Sequence, residues 1–325
     1  SAHFSFKRRQ TVLAVATGMT GLVVHAAVAP KIAYLTAKLD LPFWQAIRKG
    51  VESEVRKQGF DFVALDSNLN PQTELSHART ILNSGVAGIV LSPTDSKSAP
   101  AVLDLARKAG VPVVIADIGT NGGEYVSYVK SDNYRGAYDI GSVLAQVMKD
   151  KGWQNEAFAL VTISLARKNG QDRTNGFRDA MQEAGLTREV ALHQMQNYSA
   201  AETEGFVKQI LKLAPQLRAL FIETDQPVAG AMRALKQAQK SSADVLIVSF
   251  DAMPEVEELL NSGRLLAVGM QQPYLMGSTA AQALLSAING TPPAKQILVP
   301  ILVGTRKNIR QLMPQVNQNV FGQAK

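Results

Sequence analysis

From Lys31 onward, short runs of aliphatic and β-branched residues alternate with stretches whose apolar positions recur every three or four residues. These are the periods of buried strands and one-sided helices. "KIAYLTA" (31–37) predicts a strand, and the stretch after Pro42 predicts a helix that buries Trp44, Ile47, Val51 and Val55 and stops at Gly59. "FDFVAL" is the next strand. Asn70 and Pro71 occupy the cap and first-turn positions of a second helix, Gly85 closes it, and "VAGIVLS" is the third strand. A helix near 98–109 ends at Gly110, and "VPVVIAD" follows. Repeated strand–helix units of this length predict a parallel sheet with right-handed crossovers.

The pattern then restarts. "YVSYVKSDN" (125–133) is extended, a helix follows near 134–149, and strands are expected at 157–163, 217–223 and 245–250, each leading into a helical stretch. "LLAVGMQQP" and "ILVPILV" read as late extended segments. Two open sheets of about five or six strands fit this count better than one very wide sheet. The expected fold class is therefore α/β, with two doubly wound parallel-sheet lobes. No stretch rich in Pro, Gly or Ser separates them, so the lobes are expected to join through short segments near Ser131, Gln271 and Val299. That divides the chain into one lobe of residues 27–131 and 272–299 and another of residues 132–271 and 300–325.

The first thirty residues change the picture. A basic "KRR", an apolar "TVLAVATGMTGLVV" and the small residues "HAAVA" have the layout of an export signal. Its apolar run is short for a membrane span. Cleavage after Ala26 leaves Val24 and Ala26 at the small-residue positions, so residues 1–26 are expected to be a signal peptide. Arg8 and Arg9 suggest twin-arginine export, but Thr11 stands where that signal prefers an apolar residue, and general secretion is the default. The chain has no cysteine. That excludes disulfides, thiolate metal sites and a lipid-modified Cys, so an exported chain is expected free in the periplasm.

The formal charge is +7, and Lys7, Arg8 and Arg9 supply three of those charges. The remainder has no basic run, which argues against a nucleic-acid surface. Motifs of common enzymes are missing as well: there is no G-x-G-x-x-G after the first strand, no phosphate loop and no G-x-S-x-G elbow. His3, His25, His77 and His193 lack ligand spacing, and neither a metal nor a cofactor is expected.

Ligands of open parallel sheets bind beyond the carboxyl ends of the strands. Those ends carry Asp66, Ser92 and Asp95, Asp117, Thr224 and Asp225, and Asp251, with Phe43 and Trp44 following the first strand. Asp117 and Asp251 could equally be helix caps or turn formers. Arg173 could lie on a solvated helix start. Trp44 falls on the apolar stripe of its helix and Phe43 one step off it, which makes Phe43 the better stacking candidate; Tyr198 lies in a loop.

In their order and spacing, "IAYLTAKLDLPFWQAIRKGVESEVRKQGFDFVALDS", "ILNSGVAGIVLSPTDSKSA", "AGVPVVIAD", "YVKSDNYRGA", "RTNGFRDAM", "LIVSFDAMPE" and "GMQQPYLMGSTA" resemble the periplasmic sugar-binding proteins of the ribose and galactose type. The resemblance runs from Lys31 to about Val303. It implies two lobes joined by three crossings, a small polyhydroxylated ligand sealed in the cleft between them, no catalysis, and delivery of the ligand by a monomer to an ATP-driven (ABC) membrane permease. A chemoreceptor is a further expected partner; an effector domain of a transcription regulator and a small α/β enzyme are the competing readings. Residue by residue, Phe43 and Trp44 match the family's paired aromatics, Asp117 its fourth-strand carboxylate, and Arg173 its arginine before a Gly-Phe pair. Tyr198 falls at an aromatic on the far wall, Phe250 and Asp251 at a Phe-Asp pair, and Gln271 at a hinge glutamine.

Departures bear on the ligand. Leu41 stands where ribose-type members usually carry Asn, Ile118 where they carry Arg, and Ser92 and Thr224 at positions often held by Asn. Ring faces suit aromatic planes and hydroxyls suit Asp, Arg and Gln. With fewer rim donors, the expected solute is a deoxy-sugar, a sugar alcohol or another small polyol rather than ribose.

Overall fold

A computed structural model of the chain describes residues 28–323; the expected signal peptide lies outside them. Two six-stranded sheets carry the fold. The first is built from β1 (Lys31–Thr36), β2 (Asp61–Asp66), β3 (Gly88–Ser92), β4 (Val113–Ala116), β5 (Ser127–Ser131) and a strand near the end of the chain. Its runs are aliphatic because helices cover both faces, and β3 and β4 are buried along their whole length. The helices are α1 (Pro42–Lys57), α2 (Pro71–Asn83) and α3 (Ala99–Lys108). The Asn70 side chain caps α2 by accepting the amides of Gln72 and Thr73.

After β5 the chain enters the second unit: α4 (Asn133–Asp150), β6 (Ala157–Thr162), α5 (Lys168–Glu183), β7 (Glu189–Gln194), α6 (Ala200–Leu213), β8 (Leu217–Ile222), α7 (Val228–Gln237), β9 (Leu246–Phe250), α8 (Val256–Asn261) and β10 (Ala267–Met270). It returns to the first unit with α9 (Pro273–Ile288) and β11 (Gln296–Val299). It then crosses once more into β12 (Leu302–Thr305) and α10 (Ile309–Asn319). The orders are β11-β5-β4-β3-β1-β2 and β12-β10-β9-β8-β6-β7, so the sheets repeat one topology.

Two features differ from the sequence expectation. Strand β7, "EVALHQ", was not anticipated: it is a half-exposed edge whose Glu, His and Gln break the apolar run. Strand β12 pairs antiparallel with β10, whereas every other pair is parallel. Pro300 splits "ILVPILV" between the two sheets, and the segment after it comes back along β10.

Helix α9 is seated on α1 by two close backbone approaches. A Cβ on Gly50 would stand 2.1 Å from the Tyr274 carbonyl oxygen, and one on Gly277 would stand 2.1 Å from that of Ile47. In the second unit α4 meets α5 in the same way, with Gly176 against the Tyr134 carbonyl. These seams seat α1 and α5, which carry side chains of the cavity. No helix among the described residues is long and apolar enough to cross a membrane.

Candidate functional site

A cavity of about 390 Å³ lies where the carboxyl ends of both sheets meet, within the usual size of small-ligand sites. The first unit contributes Phe43, Trp44 and Asp117; the second contributes Arg173, Tyr198, Thr224 and Asp251, with Gln271 at a crossing. The structure thus brings together eight of the ten residues singled out from the sequence. Ser92 and Phe250 are not in the wall. Ser92 is fully buried and accepts a hydrogen bond from the Tyr34 hydroxyl at 2.9 Å. Phe250 lies in the core with Ile140 and Phe221, and the Arg173 guanidinium stacks over its ring at 4.1 Å. Trp44, placed by periodicity on the buried stripe, is only half-buried: it packs on the core of the first unit and also lines the cavity.

Asp117 follows β4 and Asp251 follows β9, which occupy matching places in the two sheets. Both have left-handed backbones, with φ of 74° and 71°, a conformation that costs a non-glycine residue free energy and tends to gather at functional sites. Equivalent bonds hold them: the Asp117 amide donates to Val129 O at 2.9 Å and the Asp251 amide to Gly269 O at 2.8 Å. Tyr198 is also left-handed, at φ 61°, and its hydroxyl accepts the Ser164 amide.

The second unit's polar groups form a network. Arg173 is 3% exposed; its Nε donates to Asn133 Oδ1 at 2.9 Å and its Nη1 to Glu223 O at 2.8 Å, while Nη1 stands 3.8 Å from Asp251 Oδ2. Asp251 Oδ1 accepts from Gln271 Nε2 at 2.6 Å, and Gln271 Oε1 in turn accepts from Ser131 Oγ at 2.8 Å. Thr224 Oγ1 lies 3.3 Å from carboxylate oxygens of both Asp225 and Asp251. Behind them the Glu223 carboxylate takes the Thr174 hydroxyl and the Ile163 amide. Burial pushes Glu223 up to about 7, against the pull of Thr174 and Arg173. Asp225 is raised as well, chiefly by burial and then by Asp251.

Asp117 is different. Its carboxylate accepts no hydrogen bond among the described residues; the Tyr128 hydroxyl donates only to its backbone carbonyl. Burial raises it to about 6, opposed by Arg173 and reinforced by Asp251. A partly enclosed carboxylate without donors, facing an ion-paired arginine across a cavity, can accept hydroxyl hydrogens from a neutral ligand.

Sequence reasoning missed Arg167, Asn169, Val320 and Phe321, which also line the cavity. Arg167 and Asn169 sit at the start of α5, where only the strand-end rule applied to β6 could have pointed to them. Val320 and Phe321 follow α10, for which the spacing of Ile309, Leu312, Met313 and Val316 was the available signal. Among the described residues no group of His, Cys, Asp and Glu is arranged to hold a metal ion.

A family model described as a periplasmic binding protein domain matches residues 32–292. The ribose import binding protein of Escherichia coli is 28% identical over 286 residues, covering 88% of this chain and 94% of that protein. Among solved structures, the periplasmic ribose ABC transporter of Conexibacter woesei aligns with a TM-score of 0.80 at 20% identity over 89% of this chain and 96% of the other. A periplasmic solute binding protein of Actinobacillus succinogenes with bound D-allose aligns with a TM-score of 0.78 at 21% identity, over 87% and 99%.

Proposed function

Because the chain belongs to the periplasmic binding protein domain family, we propose that it captures a monosaccharide, deoxy-sugar or sugar alcohol in the cleft between its lobes and delivers it to an ABC-type permease. The observation that carries this reading is the pair of matched carboxylates, Asp117 and Asp251, presented by opposite sheets to one cavity beside Arg173. Hydroxyls on a ring donate to both carboxylates and accept from Arg173, while Phe43 or Trp44 takes a ring face of C–H groups. A missing hydroxyl leaves a desolvated polar group unpaired, which makes the site selective. Nothing in this arrangement calls for a catalytic step.

Hinge closure supplies the mechanism. The three crossings are the hinge, dividing residues 27–131 and 272–299 from residues 132–271 and 300–325. The ligand docks on one lobe, and the hydrogen bonds completed by the other lobe favour the closed form. Residues 1–26 act as a leader, so a monomer starting at Ala27 is expected in a periplasmic fraction; mass spectrometry of that fraction checks it. The main test is a thermal-shift screen against sugars, deoxy-sugars, polyols and amino acids. A ligand that binds only the folded state must raise the midpoint. A rise with one polyhydroxylated class supports the reading, and a response confined to amino acids, or none at all, overturns it.

A further inference from the structure

The wall of the cavity divides by chemistry. Asp251, Gln271, Thr224 and Arg173 form one linked polar group, and Asp117 faces it from the other sheet. Most of the wall's larger apolar members come from three other places, the start of α1 (Leu41, Pro42, Phe43), the start of α9 (Pro273) and the segment after α10 (Val320, Phe321). These three segments touch: a Cβ on Gly322 would stand 2.9 Å from the Tyr274 ring and 3.5 Å from Lys49 Cδ. Phe321 packs on the core of the second lobe and lines the cavity as well, so it closes the apolar part from the lobe opposite α1. The matching family model ends at residue 292, so Val320 and Phe321 come from chain beyond it.

Phe43 and Trp44 are perpendicular, with an interplanar angle of 89° and ring centroids 5.1 Å apart. A single flat ring can stack on one of them but not on both, which leaves the other face for a second group. Leu41 is 41% exposed while lining the cavity, so its apolar surface is left for a ligand to cover. Gln45 and Lys49, the polar side chains on this side, are themselves exposed.

We propose that the ligand is a polyhydroxylated ring bearing an uncharged alkyl or aryl substituent, with the ring on Asp117, Arg173 and Asp251 and the substituent against Leu41, Phe43 and Phe321. This rests on the sugar-capture reading above and narrows its substrate class. Covering carbon that otherwise faces water favours the substituted ring over its parent.

Calorimetry on the mature chain, with a panel of pentoses, hexoses and cyclitols tested free and as O-methyl and O-phenyl derivatives, tests it. The expected result is that a derivative binds at least about tenfold more tightly than its parent. Phe321→Ala, and separately the exposed Leu41→Ala, which adds no hydrogen-bonding group, should shrink that ratio to within about threefold of unity. Parents that bind as tightly as their derivatives overturn the inference and leave sugar capture standing. A derivative's advantage that survives both substitutions also overturns it. Absence of binding by every compound sinks the sugar-capture reading, and this inference with it.

Discussion

The two lobes share one strand order yet finish it with different chemistry, and the difference separates what holds the protein together from what awaits a ligand. Strands β4 and β9 correspond, and each is followed by a left-handed Asp. In the second lobe Asp251 is already engaged by Gln271, Thr224 and Arg173. In the first lobe Asp117 has a carboxylate with no donor among the described residues. The contrast extends one strand over. Ser92 faces Thr36 across β3 and β1, and Glu223 follows the Val161–Ile222 pair at the corresponding place across β8 and β6. Beneath its end of the cavity the first lobe has a neutral Tyr34–Ser92 hydroxyl pair, where the second has a buried acid and an arginine.

Removing the two carboxylates in turn separates the lobes most strongly. Asp251→Asn should have the largest effect, lowering ligand affinity by at least about 100-fold, because Arg173 loses its ionic partner as the ligand loses an acceptor. The same change should lower the ligand-free protein's stability by about 1–3 kcal/mol. Asp117→Asn should weaken binding by about 10- to 100-fold, yet leave the ligand-free protein at least as stable, since it removes a carboxylate that burial disfavours. Asn also tolerates the left-handed backbone at φ 74°. Calorimetry and chemical denaturation of both variants check this pair; equal losses of ligand-free stability would abolish the distinction between the lobes.

Acidity tests the same contrast without mutation. Asp117 is raised to about 6, and Glu223 and Glu74, a buried acid of α2 that accepts the Thr94 amide, to about 7, each mainly by burial. Their folded-state values lie above the unfolded ones, so the folded protein binds more protons between about pH 4 and 7. Their contribution to stability is fully present below the unfolded values and is lost as pH rises through 6 and 7. The thermal midpoint of the ligand-free chain should therefore fall between pH 5 and pH 8, and Asp117→Asn should flatten the lower part of that fall. Ligand affinity should run the other way, weakening below about pH 6 as Asp117 takes up a proton and loses acceptor capacity. A midpoint that rises from pH 5 to pH 8 would contradict the burial of these acids.

Most of this architecture could be read from the chain because fully covered parallel strands leave unbroken aliphatic runs, as in "KIAYLT" and "GIVLS". Strand β7 escaped because an edge needs no such run, and the reversal of β12 depends on which sheet the chain rejoins after Pro300. In the cavity, Asp117, Thr224 and Asp251 were legible as polar residues directly beyond apolar strands. Ser92 satisfied the same rule and Phe250 was implied only by the resemblance, and both end up behind the wall, since alternation along a strand decides whether its last side chain points to the cleft or into a layer. Phe321 was not legible, because only tertiary packing brings residues after α10 back to α1 and α9.

Aromatic stacking carries a smaller expectation. Phe43→Ala should weaken binding by about 1–2 kcal/mol, or about 5- to 30-fold. Phe43 also packs edge to face on Trp44 and against the core of the first lobe, so some loss of thermal midpoint accompanies the change, and a loss of affinity measured well below that midpoint is the result that assigns the ring to the ligand.

Ser92→Ala is the finest test, because it asks whether the hydroxyl pair of the first lobe belongs to the site or to the scaffold. The Tyr34 ring is fully buried, and its hydroxyl donates to Ser92. Removing the acceptor should cost about 1 kcal/mol of stability, the ordinary worth of a buried neutral hydrogen bond. Affinity should stay within about twofold, a change under about 0.5 kcal/mol, since Ser92 does not line the cavity. A large loss of affinity at unchanged stability would move Ser92 into the wall. It would then join Asp117 as a group held for the ligand, and the first lobe would contribute a polar rim of its own beside its aromatics.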